Sequence, residues 1–247
     1  MLTKNEVKHI QSLHHKKGRE ESDCFLVEGV KITRELLAEC PQQLVALYAL
    51  PEFFREQALT PTGDRFREIS PAELERISAL QTPQQVVCVV RRLVQPQLLS
   101  PENNWILVLD GIRDPGNMGT ILRLADWFGI RQVVASPDSV DGCNPKVVQA
   151  SMGSVLRVPV IVQELDGYCR QSHGPVVAAV LNGTPVQDYV FPDGGLLLIG
   201  NEAQGIRPGL LERVQQAVTI PSFGKAESLN AAVATGILLW ELRRRGT

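Results

Sequence analysis

Five side chains between residues 105 and 247 of this sequence stand where chemistry can be done: Asn117, Arg123, Glu202, Ser228 and Asn230. They offer amide, guanidinium, carboxylate and hydroxyl groups, and they gather beside turns rich in glycine. A few convergent polar groups of this kind are what a binding pocket requires. Each also has an ordinary reading. Asn117 and Ser228 can be helix caps, Glu202 can complement a helix amino end, and Arg123 can be an exposed helix residue. Their shared placement beside glycine turns sets them apart. Gly119 and Arg123, four apart, share one helix face and leave a gap for the guanidinium or something bound to it.

Other chemistries lack their residues. After the apolar run at Trp105–Leu109 there is no G-x-G-x-x-G for a nicotinamide cofactor, and no G-x-x-x-x-G-K-[ST] for a triphosphate. No two histidines stand at metal-ligand spacing, and His173, alone within residues 105–247, reads as a surface residue. The five cysteines are odd in number and never spaced C-x-x-C, which argues against a disulfide framework or zinc site and fits a reducing compartment. No apolar run is long enough to span a bilayer and no signal-peptide pattern opens the chain, so a cytoplasmic protein is expected. An apolar fraction of 44% and a net charge of -2 are those of a globular protein without a global field for nucleic acid. Locally, Lys4, Lys8, Lys16, Lys17 and Arg19 face Glu6 alone over residues 1–19. That run is a solvated face or a phosphate-contacting arm.

The elements that must position these groups alternate between strand and helix. Leu196–Ile199 and Ala217–Ile220 are apolar, strand-like runs, ended by Gly200-Asn201-Glu202-Ala203-Gln204-Gly205 and by Pro221 with the loop to Asn230. In open α/β sheets, ligands sit beyond the carboxyl ends of strands, where such loops gather. Trp105–Leu109 reads as a strand covered on both faces, followed by a turn and a helix to about Phe128 that Asn117 can cap. Further strands are expected at 132–135, 158–162 and 176–180, with a helix opening near Asn144-Pro145. A last helix is expected from Ser228, its Arg243, Arg244 and Arg245 complementing its own dipole.

Upstream, residues 16–23 read as an exposed loop, Phe25–Val27 as a strand, and Glu28-Gly29 as the opening of a helix. A strand at 44–50, a helix at 71–80 with proline in its first turn, and a strand at 86–90 follow. The expected organisation is a small α/β domain over residues 1–92, a proline-containing linker at 93–104, and a second α/β domain over 105–247.

With these residues in view, the chain resembles the SpoU branch of the SPOUT RNA methyltransferases. Three ordered motifs carry the resemblance: Asp114-Pro115-Gly116-Asn117-Met118-Gly119 with Arg123; Gly200-Asn201-Glu202-Ala203-Gln204-Gly205; and Ile220-Pro221 through Gly224 to Glu227-Ser228-Leu229-Asn230. Asn144-Pro145-Lys146-Val147-Val148 and Ala150-Ser151-Met152-Gly153 are also similar to the family. Two departures stand out: Ala231-Ala232 where many relatives carry Val-Ser, and Gln149 where relatives often have arginine.

The resemblance implies transfer of a methyl group from S-adenosylmethionine to a ribose 2′-hydroxyl of rRNA or tRNA, with no metal. It implies Arg123 as the central catalytic group, supported by Asn117, Glu202, Ser228 and Asn230, and cofactor contacts around Gly200, Ile220 and Leu229. It further implies a carboxyl-terminal trefoil knot and a homodimer through the second domain. The first domain resembles the L30e-like substrate-binding domain often fused to these enzymes, through Phe25-Leu26-Val27-Glu28-Gly29 and Thr82-Pro83-Gln84-Gln85-Val86, which favours the phosphate-contacting reading of residues 1–19. The competing expectation is an RNA-binding protein of the same two domains without catalysis.

Overall fold

The computed structural model describes residues 1–92, 97–201 and 203–244. Glu202, Arg245 and part of the expected linker lie outside the described residues. In chain order the first elements are α1 (Lys4–Ser12), α2 (Lys16–Ser22), β1 (Cys24–Glu28), α3 (Val30–Glu39), β2 (Leu44–Ala49), α4 (Pro51–Glu56), β3 (Phe66–Glu68), α5 (Pro71–Ile77) and β4 (Val86–Arg91). Then come β5 (Trp105–Asp110), α6 (Pro115–Trp127), β6 (Val133–Ala135), α7 (Pro145–Ser151), β7 (Val160–Val162) and α8 (Leu165–Arg170). The chain closes with β8 (Val176–Pro185), β9 (Gly195–Gly200), α9 (Pro208–Leu211), β10 (Gln216–Thr219) and α10 (Ala231–Arg244).

The chain divides into two compact units. One holds the described residues up to 92 together with Asp141–Leu156; the other holds the remainder. In the first, the sheet runs β1-β4-β2-β3, antiparallel except for β3 beside β2. Ile10, Leu13, Leu26, Ile77 and Val87 meet in its core, each large aliphatic side chain contributing roughly 1.5–3 kcal/mol by burial. Thr3 with Glu6 and Ser70 with Glu73 form reciprocal capping boxes that start α1 and α5.

The expected loop at 16–23 is instead α2. Lys16–Glu20 and Lys17–Glu21 pair one turn apart, which supports a helix. Arg19 turns inward: it is 1% exposed, its Nε lies 2.8 Å from Asp141, and Nη1 donates to the Leu13 carbonyl at 2.9 Å. Arg19 therefore leaves the basic surface, while Lys4, Lys8, Lys16 and Lys17 remain exposed.

In the second unit every strand is parallel, in the order β10-β8-β9-β5-β6-β7. The apolar runs of β5 and β9 are buried almost throughout, as central parallel strands must be. After β5 the chain builds one side through β6 and β7, then crosses to the other. The topological switch therefore falls between β5 and β9, where the chain leaves the sheet side by side after Asp110 and after Gly200.

Helix α10 packs along α6, close enough that a Cβ on Gly236 would stand 3.4 Å from a Leu124 methyl. Arg243 donates to the carbonyls of Phe128 (2.7 Å) and Gly129 (3.0 Å). It thus satisfies the carboxyl end of α6 rather than only complementing its own helix.

Candidate active site

The first site residue is held by a cap that the sequence reading placed elsewhere. Asp114 starts α6, its Oδ1 accepting from the Asn117 backbone N–H at 2.8 Å. Asn117 is therefore inside the first turn, and its side chain is not needed at the cap. Its Oδ1 accepts from Asn230 Nδ2 at 2.8 Å. Asn230 in turn starts α10: its Oδ1 accepts from the backbone N–H groups of Ala232 (2.9 Å) and Val233 (3.3 Å). The last helix begins at Ala231 and not at Ser228, because the cap is the asparagine two residues on. One side chain both starts α10 and ties it to α6.

The loop after β9 folds tightly onto the end of β5. Asn201 Nδ2 donates to the Gly111 carbonyl at 2.8 Å, and its Oδ1 accepts from Ala203 N–H at 2.9 Å. Asn201 and Gly205 exchange backbone hydrogen bonds of 3.1 and 2.8 Å, with Gly205 at φ +69°. A Cβ on Gly200 would stand 2.3 Å from the Gly205 carbonyl carbon, so only glycine lets the turn close. On the β5 side, Ser136 Oγ accepts from Gly111 N–H at 2.9 Å and Ser139 Oγ from Ile112 N–H at 3.2 Å.

Charge at this edge is paired. Asp110, 1% exposed at the end of β5, accepts from the Arg207 backbone N–H at 2.8 Å and from its Nε at 2.6 Å. Asp138 meets Arg207 and Arg113, each at 3.2 Å. The Ser136 hydroxyl, with Arg113 and Arg207, holds the Asp138 carboxyl below its ordinary range. The Asp110 carboxylate raises Arg207 above its own. Sequence reasoning missed Asp110 and Arg207. The available signal was an aspartate closing an apolar strand, a group that burial forces to find a partner.

Arg123 lies on the exposed side of α6, roughly 9 Å along the axis from Asn117 at 1.5 Å per residue. It makes no hydrogen bond or ion pair with the described residues. Gly116 and Arg123, seven apart, lie on nearly the same line of the helix. Ser228 and Leu229 stand exposed in the loop before α10, and Ile220 is half-buried at its start. The structure thus joins Asn117 to Asn230 and folds the Gly200 turn onto β5, while Arg123 and Ser228 face solvent. Glu202 lies outside the described residues. Among the described residues, no three metal-ligating side chains gather and no helix is long and apolar enough to cross a membrane.

Comparison with known proteins agrees with this architecture. Residues 104–240 match the SpoU rRNA Methylase family, and residues 4–88 match the MRM3-like substrate binding domain. The chain is 31% identical over 241 residues to the 23S rRNA (guanosine(2553)-2'-O)-methyltransferase RlmP of Bacillus subtilis, covering 96% of this chain and 95% of that one. It is 34% identical over 239 residues to the 23S rRNA (guanosine-2'-O-)-methyltransferase RlmB of Coxiella burnetii, covering 89% and 95%. The crystal structure of AdoMet-bound rRNA methyltransferase from Sinorhizobium meliloti superposes with a TM-score of 0.87 at 31% identity, over 99% and 96% of the two chains.

Proposed function

This chain belongs to the SpoU rRNA methylase family, and from that premise we propose that it transfers the methyl group of S-adenosylmethionine to a ribose 2′-hydroxyl of ribosomal or transfer RNA. The observation that carries this reading is the pair of loops at the carboxyl edge of β9 and β10, which meets the first turn of α6 through Asn230 and Asn117. The residues there suit an adenosyl ligand. Gly200 opens a turn of backbone groups, while Leu229, 44% exposed, and half-buried Ile220 offer apolar surface for a flat ring. When bound, the cofactor supplies a methyl group already activated by the sulfonium.

What remains for the protein is alignment and charge. Arg123 holds the ribose hydroxyl and a neighbouring phosphate; arginine keeps its proton, so it acts by positioning and electrostatics rather than as a base. Asn117 and Asn230 fix the helix that carries it, Ser228 shapes the substrate side, and Glu202 supports the site by hydrogen bonding. The first domain, over residues 1–92, receives RNA, with Lys4, Lys8, Lys16 and Lys17 as phosphate contacts. Residues 105–247 form the catalytic domain, reached through 93–104, with its carboxyl-terminal segment knotted around the cofactor.

The enzyme works as a homodimer in the cytoplasm. Trp127 on α6 is 83% exposed, and Trp240 and Val233 on α10 are 56% and 52% exposed. Aromatic exposure on two packed helices favours a second copy as the cover.

Calorimetry with S-adenosylmethionine, using nicotinamide cofactors as controls, tests the reading. Saturable binding of the first alone is expected. No binding at high micromolar cofactor by folded protein would favour the non-catalytic RNA-binding alternative.

A further inference from the structure

We propose that Asp110 and Arg207 form a positioning latch that sets the shape of the cofactor turn after β9, and so govern cofactor affinity without touching the reacting atoms. The inference rests on the assignment of that turn to S-adenosylmethionine. Its starting point is a carboxylate taken out of water. Asp110 is 1% exposed at the end of a wholly buried strand. A buried carboxylate is tolerated only when its oxygens are met by donors, since its lost hydration is otherwise uncompensated.

The donors all come from one residue 97 positions later. The Arg207 backbone N–H reaches Oδ2 at 2.8 Å, its Nε reaches Oδ1 at 2.6 Å, and its Nη2 also contacts Oδ1. Arg207 immediately follows the turn that begins at Gly200. The turn is thereby held onto β5 at both ends, by Asn201 on the Gly111 carbonyl at the front and by Arg207 on Asp110 at the back.

Asp138 extends the tie, bridging Arg207 to Arg113 and so joining the loops after β5, β6 and β9. None of these four charged side chains belongs to the set assigned to substrate or cofactor. What they fix is backbone, and backbone groups preset in a binding shape raise affinity by lowering the ordering cost of binding. Loosening the latch therefore shows in cofactor binding and leaves turnover of the loaded enzyme in place.

The test uses the full chain as Asp110→Asn, as Arg207→Lys and as the double variant. Calorimetry with S-adenosylmethionine, methyl transfer to RNA at saturating cofactor, and hydrogen exchange of the 203–207 amides are read together. Each single variant is expected to weaken cofactor binding about tenfold and to hold kcat within about twofold. Exchange at 203–207 should quicken while that of β5 and α6 stays unchanged. The double variant should bind no more weakly than the worse single one, because residues in one ion pair do not act additively.

Parent-like affinity in folded variants, additive losses, or a fall in kcat at unchanged affinity overturns the latch alone. Where Asp110→Asn does not fold, Arg207→Lys, whose side chain is half exposed, carries the same comparison. A parent protein that binds no S-adenosylmethionine overturns the functional assignment and the latch with it.

Discussion

Arg123 and Asn117 share a helix but carry different duties. Asn117 accepts from Asn230, whereas Arg123 has no partner among the described residues, which leaves its guanidinium for the proposed contact with RNA. Arg123→Lys keeps the charge and loses the planar fork, so methyl transfer should fall about 100-fold, the scale of a misplaced reacting group, with cofactor affinity kept. Near-normal turnover would remove Arg123 from its central place. Gly200→Ala probes the proposed cofactor turn. Its Cβ would stand 2.3 Å from the Gly205 backbone, so calorimetry should show cofactor binding lost while the unfolding transition remains cooperative. At this scale the residue types and motifs were legible in the sequence; their partners were not. That Asn117 would answer to Asn230 requires two segments 113 residues apart to meet, and no local pattern contains that distance.

Helix starts were readable where proline marks the first turn, as at Pro71 and at Asn144-Pro145. Elsewhere two polar residues competed for the cap, and Asp114 and Asn230 took it from Asn117 and Ser228. Helix α2 was hidden because its sequence is charged and its buried residues are a glycine and an arginine, which a search for apolar periodicity passes over.

Two predictions belong to these elements. Asn230→Ala removes the α10 cap and the tie to α6 together, and should lower unfolding stability in urea by about 1–2 kcal/mol. Asn117→Ala removes the tie alone and should cost less. At α5, backbone N–H groups of Ser70 and Leu2 lower the Glu73 carboxyl from 4.5 to about 2. A lowered folded value means the contribution is complete above the unfolded value near 4.5 and disappears as pH falls toward 2. The stability difference between parent and Glu73→Gln should therefore be largest at neutral pH and shrink steadily below about pH 4.5 in acid titrations.

At the scale of the molecule, the α/β class was legible because parallel strands buried on both faces need long apolar runs, and β5 and β9 have them. Strand order was not: nothing in a run of leucines says that β9 lies beside β5 and β8 beyond it. Nor does sequence distance show that Asp141–Leu156 joins the first unit, where α7 packs on β1. The exposed indoles of α6 and α10 bear on assembly. Trp127→Glu with Trp240→Glu should leave the fold intact and convert a dimer to monomer in sedimentation analysis. A parent that is already monomeric at micromolar concentration would contradict the proposed interface.

The central claim, methyl transfer to a ribose oxygen, is tested most directly by mapping the product. Ribosomal RNA and transfer RNA lacking native modification are each incubated with the protein and methyl-labelled S-adenosylmethionine, then digested to nucleosides and resolved by mass spectrometry. Label is expected in a single 2′-O-methylated nucleoside, formed by the parent and nearly absent with Arg123→Lys. Label on a base, or none in either rRNA or tRNA despite saturable cofactor binding, would contradict it.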